Sequence, residues 1–333
     1  MKRIFPKIAT FAMASLLVLS AVQVQAEEKR VALVAKALGI SFFDAAYRGA
    51  KEAANEIGDV KIIYTGPADT TASGQIEVVN SLIAQHVDAI AISANDPDAL
   101  TPVLKKAQQR GIRVVSWDSG VAKQGREIHV SDANDELIGR TCNQLAAEAI
   151  KFKGKDIGTF AILSSSSTST NQNIWIEWMK RSLKDYPNLK LADTAYGDDL
   201  ADKSFREAKA LMKKHPDLDV IVSPTTVGIL AAAQAVNDMG LKGKVYVTGI
   251  GLPSQLAGHV HSGVINSFAI WNPIDLGYAT VMVAHDLITG NGSRGERPIG
   301  RMGTLKIDED GNADMGKPFI YDTSNVDKFS PLF

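Results

Sequence analysis

A single cysteine, Cys142, occurs in 333 residues, so no internal disulfide staples the chain and its stability must come from hydrophobic cores. It lies in "LIGRTCNQLAAEAI", where a buried helix thiol is expected rather than a reactive one. Motifs for covalent, nucleotide or metal chemistry are also missing. The first apolar run is followed by "KALGISFF" rather than GxGxxG, and there is no P-loop. "GLPSQLAG" lacks the GxSxG spacing of a nucleophile elbow. His259 and His261 are the one close histidine pair, and two histidines alternating in a helix terminus do not share a face. No catalytic residue, metal or cofactor is therefore expected. Neither sign of charge dominates: 36 Lys and Arg residues stand against 37 Asp and Glu. Such a surface argues against non-specific nucleic-acid binding.

What is present begins with a leader. "MKRIFPK" is basic, "IATFAMASLLVLSAV" is apolar and "VQA" ends in a small-x-small pattern, which together read as a secretory signal peptide over residues 1–26. The apolar core is shorter than the roughly 20 residues of a spanning helix, and no later segment is long enough. The leader holds no cysteine for lipid attachment. Cleavage after Ala26 removes Lys2, Arg3 and Lys7 and leaves 307 residues with a formal charge of −4. That length suits two domains of ordinary size. A freely soluble periplasmic protein is expected.

Short apolar runs then alternate with amphipathic ones: "RVALVAK" with "FFDAAYRGAKEAANEI", "VKIIY" with "GQIEVVNSLIAQ", "VDAIAIS" with "DALTPVLKKAQQR", closing at "IRVVSWD". The rhythm resumes at "DIGTFAIL" and runs through "LKLADTAY" and "LDVIVS" to "KVYVTGIG". This is the pattern of βαβ units, and two sets of them imply an α/β fold with two doubly wound parallel sheets. A strand-poor, Gly-rich tail is expected from Asn291. Open α/β sheets bind ligands at the carboxyl ends of their strands. The residues standing there are Lys36, Asn95, Asp118, the hydroxyl run Ser164–Thr170 with Asn171 and Gln172, Pro224, Thr225, Thr226, Gly251, Trp271 and Asn272.

That set is polar and aromatic with few charges, which suits an uncharged polyol. Amides, hydroxyls and a carboxylate supply directional hydrogen bonds, and aromatic rings supply flat faces for the C–H surface of a sugar. Asp118 either accepts two ligand hydroxyl protons or merely forms a turn or helix cap. Lys36 either donates to the ligand or neutralises Asp118. Phe42 and Phe43 open an apolar helix face, so at least one of them belongs to the core. Trp175 and Trp178 share a face of one helix, where packing is the expected role of Trp178. In the hydroxyl run the stretch 165–170 reads as a solvated loop, with Asn171 and Gln172 as the groups that face a cleft.

With these residues in view, the chain resembles a type I periplasmic binding protein over essentially all of its mature length. The resemblance rests on Phe42–Phe43, "ISANDPDAL", "VSWDSG" and "VTGIG". Within the family it is most similar to the rhamnose-binding component of an ABC importer, through "IYTGPADTTASGQIEVVNSLIAQ", "RGIRVVSWDSGVA", "STSTNQNIWI", "YGDDLADKS", "PTTVGI" and "FAIWNPIDLGY". The resemblance implies two lobes joined by three crossovers, residues 27–122 with 253–291 forming one and 123–252 with 292–333 the other. It further implies a sugar ligand held between them, an ABC permease as partner, no nucleic acid, membrane contact only through the permease, and a monomer. The related autoinducer-2 (AI-2) binder is the alternative, as is a binder of another deoxyhexose or a pentose. That pattern has Asp-Gln where Asn171-Gln172 stand and Pro-Asp-Ala where Pro224-Thr225-Thr226 stand. Ribose-type binders carry Asp where Gly251 stands. A sugar-sensing regulator shares the fold but would have a helix-turn-helix where the leader is, and a sugar-modifying enzyme is the remaining alternative.

Overall fold

The computed structural model describes residues 28–292 and 294–333; the signal peptide expected over 1–26 lies outside the described residues. The apolar runs of the first half form β1 (Lys29–Val34), β2 (Val60–Thr65), β3 (Ala89–Ile92), β4 (Arg113–Trp117) and β5 (Ile128–Ser131). The amphipathic runs between the first four strands form α1 (Ser41–Ile57), α2 (Ala72–Ala84) and α3 (Pro97–Gln109). All five strands pair in parallel in the order β2-β1-β3-β4-β5. Every residue of β3 is buried, as expected of a parallel strand covered on both faces. The α3 start shows why a turn of sequence becomes a helix: the Asp96 side chain accepts from the Asp98 and Ala99 amides, and Pro97 fills the first position, where no N–H is needed.

After α4 (Asp135–Phe152) comes a second parallel sheet of β6 (Gly158–Ser164), β7 (Leu189–Tyr196), β8 (Val220–Ser223) and β9 (Tyr246–Gly249), ordered β7-β6-β8-β9. Its helices are α5 (Thr170–Ser182), α6 (Ala201–Lys214), α7 (Thr226–Asp238) and α8 (Pro253–His261). β10 (Ser267–Ile270) continues this sheet through a parallel bridge from Ala269 to Ile250. α9 (Pro273–Thr289) then returns to the first sheet and packs on α1. Two glycines let their backbones meet: a Cβ on Gly49 would lie 1.7 Å from the Ile274 carbonyl oxygen, and one on Gly277 1.9 Å from that of Ala46.

The tail carries more sheet than its composition announces. β11 (Gly295–Pro298) and β12 (Thr304–Ile307) form a hairpin, β13 (Asn312–Asp314) adds to β5, and β14 (Phe319–Asp322) runs antiparallel to β10, followed by α10 (Val326–Phe329). The chain therefore passes between the two sheets three times, near Asp132, Trp271 and Gly316. Strand pairing shifts the divisions expected at 123, 253 and 292. The stretch containing β5 stays with the first sheet through β4, α8 and β10 stay with the second through β9, and β13 is in the first. No helix among the described residues is long and apolar enough to cross a membrane.

Candidate functional site

The carboxyl ends of both sheets converge on one cavity between the lobes. Its first-lobe wall is Lys36 and Ile40 after β1, Phe42 and Phe43 of α1, and Asp118 after β4. Its second-lobe wall is Asn171, Gln172 and Trp175 of α5, Asp199, Pro224–Val227 at the start of α7, and Ile250; Trp271 stands at the crossover. Asp118 ends β4 in a left-handed turn, φ 52°, a conformation Asp tolerates better than most side chains. The turn aims its carboxylate into the cavity, where Oδ2 accepts from Ser93 Oγ at 2.5 Å and Oδ1 from Asn171 Nδ2 at 2.8 Å. The Lys36 Nζ lies 4.0 Å from Asp118 and donates to Ser169 Oγ at 2.9 Å and Asn171 Oδ1 at 3.4 Å. Lys36 thus both neutralises Asp118 and ties the lobes together.

Further bonds cross from lobe to lobe. Thr70 Oγ1 donates to the Asp198 carbonyl at 2.5 Å, Thr168 Oγ1 to that of Asn95 at 3.0 Å, and Thr170 Oγ1 to that of Gly120 at 2.8 Å. The hydroxyl run is therefore not a solvated loop throughout: Ser169, Thr168 and Thr170 latch the second lobe to strand ends of the first. Ser164 and the Ser165 amide instead donate to Gln172 Oε1, at 2.7 and 2.8 Å, and fix its amide at the cavity wall. The aromatic wall is a chain of edge contacts, with Phe42 and Trp175 on Trp271 and Phe43 on Trp117. Phe43 lines the cavity while also packing on the core indole of Trp117, so both roles considered for the pair are filled.

Ten of the residues singled out in the sequence line this one cavity: Lys36, Phe42, Phe43, Asp118, Asn171, Gln172, Pro224, Thr225, Thr226 and Trp271. Asn95 and Asn272 do not. Asn95 turns its amide to the Lys36 carbonyl at 2.8 Å and holds the loop that carries Lys36. Asn272 caps α9, accepting from the Ile274 amide at 3.0 Å and donating to Asp275. Gly251 also lies off the lining; a Cβ there would meet Leu256 Cδ1 at 2.3 Å.

Sequence reasoning missed Asp199, Trp175 as a lining group, and Gln75. Asp199 follows a left-handed Asp198 and is itself left-handed, φ 52°; its carboxyl accepts from Thr225 Oγ1. Burial pushes that carboxyl above its usual range, with the Lys36 charge pulling against the shift. The paired aspartates of "YGDD" at a strand end were the available signal. Fully buried Gln75 donates to the Ala35 and Ser93 carbonyls at 2.9 and 2.7 Å and accepts from the Asn95 amide, bracing the end of β1 that carries Lys36 and the end of β3 whose Ser93 hydroxyl holds Asp118. Cys142 is buried in α4, and burial pushes its thiol up to about 12. No group of three or more metal-ligating side chains occurs among the described residues.

Two parallel α/β lobes, three crossovers and an interlobe cavity rich in hydrogen-bonding groups define a type I periplasmic sugar-binding protein. Residues 31–292 match the periplasmic binding protein domain, and the chain belongs to that family, whose relatives here are solute-binding components of sugar ABC transporters. It is 32% identical over 256 residues to the D-ribose/D-allose-binding protein of Pseudomonas aeruginosa, covering 74% of this chain and 79% of that one. Among solved structures it is similar to an ABC transporter solute-binding protein of Clostridium phytofermentas with bound L-rhamnose, at 33% identity and TM-score 0.85, covering 92% of this chain and 99% of that one. It is also similar to LsrB of Clostridium saccharobutylicum in complex with AI-2, at 25% identity and TM-score 0.86, covering 90% and 99%.

Proposed function

We propose that the protein is a periplasmic substrate-binding protein that captures a sugar, rhamnose, and presents it to an ABC import permease, without altering it chemically. The observation that carries this reading is the composition of the cavity. Of its two carboxyl groups, Asp199 accepts from Thr225, and Asp118 already holds two protein donors and keeps lone pairs for ligand hydroxyls. Around it stand neutral amides and hydroxyls, Asn171, Gln172, Thr225 and Thr226, and an aromatic wall of Phe42, Phe43, Trp175 and Trp271. The polar groups match sugar hydroxyls and the rings match a C–H face and a methyl group. The likeness to an L-rhamnose-bound protein over nearly the whole chain supports the choice of sugar. Ligand contacts to both walls favour the closed arrangement, which is the form a permease would distinguish from the open one.

The second reading is AI-2, favoured by the likeness to LsrB. Asn171 counts against it, because its amide donates to Asp118 where the AI-2 pattern has a carboxylate. Thermal-shift screening of the purified mature protein against L-rhamnose, D-ribose, D-allose, D-mannose and AI-2 separates the readings. A ligand at 100 times its dissociation constant adds about 2.7 kcal/mol of stability. The largest shift is expected with L-rhamnose; a larger shift with any other member overturns the assignment. Recovery of unchanged sugar after incubation is expected, and a modified product would make the protein an enzyme.

A further inference from the structure

Behind Asp118, at the first crossover, lies a second carboxyl that the binding site does not use. Asp132 follows β5, is 2% exposed, and neither of its oxygens accepts a hydrogen bond from any protein donor among the described residues. The strand end that carries it pairs with β4, where the Asp118 amide donates to the Val130 carbonyl at 3.2 Å, and the Asp118 charge acts on it directly. Two buried carboxyls, Asp118 and Asp132, and the half-buried Asp199 therefore share the field of one buried cation, Lys36. One cation balances one carboxylate, and two carboxylates in contact away from water do not both ionise. The donors decide which group carries the charge. Asp118 has the donors Ser93 and Asn171 and the Lys36 charge 4.0 Å away; Asp199 has Thr225; Asp132 has none.

We propose that Asp132 is a positioning residue that stays protonated at neutral pH and donates its carboxyl proton to Asp118, linking the interlobe hinge to the sugar-accepting carboxylate. This inference rests on the binding-site reading above only for its ligand arm. Asp118 faces it from the end of β4, Lys36 from the end of β1, and Asp135 from the start of α4, while Asp275 and Lys317 share the hinge cavity on its other side. Burial, and next the Asp118 charge, hold the Asp132 carboxyl well above the usual range, and Lys36 offsets only part of this. The folded state thus binds a proton that the unfolded chain releases near pH 4. Stability from this group is full below that pH and declines as pH rises toward the folded value.

The test uses the ligand-free mature protein first. Difference infrared spectroscopy of wild type against Asp132→Asn at pH 7 should show a protonated-carboxyl stretch that the variant lacks, and the variant's thermal stability should fall less between pH 5 and pH 9. Absence of that band, or an unchanged stability profile, overturns the proposal. Titration with L-rhamnose across the same pH range forms the second arm. Asp132→Asn, whose amide still donates, should flatten the pH dependence of affinity, whereas Asp132→Ala should weaken binding about tenfold or more. Equal weakening by both variants overturns the positioning role. If L-rhamnose fails to bind wild type while the infrared band is present, the sugar assignment fails and the proton assignment stands.

Discussion

Replacing Asn171 by Asp changes one atom of the site and converts it to the carboxylate of the AI-2 pattern. In the wild type, Asn171 Nδ2 donates to Asp118 Oδ1 at 2.8 Å across the lobe boundary, while its Oδ1 accepts from Ser169, Lys36 and the Gln172 amide. The acceptor half survives Asn171→Asp, and the donor half becomes a second negative oxygen. Losing a hydrogen bond to a charged group costs about 1.5–3 kcal/mol. Two unit charges about 4 Å apart repel by about 4 kcal/mol at an effective dielectric of 20. Lys36, which already lies near both side chains, offsets much of the repulsion but cannot restore the donor. Because the bond spans the lobes, the loss falls on the closed state. Affinity for L-rhamnose at pH 7 should weaken about ten- to a hundredfold. The introduced carboxyl sits beside Asp118, so its pKa is raised. Binding should therefore recover as pH falls through that value, when the protonated carboxyl donates again. Calorimetric titration of variant and wild type at pH 5 and pH 7, compared as a ratio, reads this directly. A variant that binds as tightly as wild type at pH 7, or whose relative affinity worsens in acid, would refute the argument.

Further expectations concern other links of the same chain of reasoning. Asp118→Ala should abolish L-rhamnose binding while keeping a cooperative unfolding transition, each lost charge-assisted bond costing about 1.5–3 kcal/mol; unchanged affinity in calorimetry would contradict the role given to this carboxylate. Gly277→Ala should destabilise the protein by about 1–3 kcal/mol in urea unfolding, since its Cβ would press on the Ala46 carbonyl of α1; an unchanged midpoint would mean that the α1–α9 contact relaxes freely. Leu38 and Leu200, 45% and 43% exposed, stand on opposite rims of the closed cleft. Changing either to Asp should reduce sugar uptake in cells without weakening sugar binding in solution, and an effect confined to one of them would argue against a permease that reads both lobes.

The cavity was legible because parallel α/β sheets put polar residues at the carboxyl ends of apolar runs, and Lys36, Asp118, Asn171 and Thr225 each follow such a run. Asn95 and Asn272 occupy equivalent places but serve the backbone, holding the Lys36 loop and starting α9. A strand-end position fixes where a side chain begins and leaves open whether its amide turns to ligand or to a neighbouring carbonyl. Gln75 was hidden for the converse reason: on α2 it reads as surface, yet it braces two strand ends. The crossover positions depended on β5, β10 and β13, strands of three or four residues that local periodicity cannot resolve. Asp132 and Asp199 matter through what surrounds them in space, above all Lys36 and Asp118, which belong to other strand ends.

The central claim is that this cavity selects rhamnose. Isothermal titration of the mature protein with L-rhamnose, with D-mannose and AI-2 in parallel, tests it most directly. A methyl group packed on an aromatic wall contributes roughly 1–3 kcal/mol of discrimination. L-Rhamnose should therefore bind about tenfold or more tighter than D-mannose, and AI-2 weakly or not at all. Equal affinity for L-rhamnose and D-mannose, or tighter binding of AI-2, would contradict it.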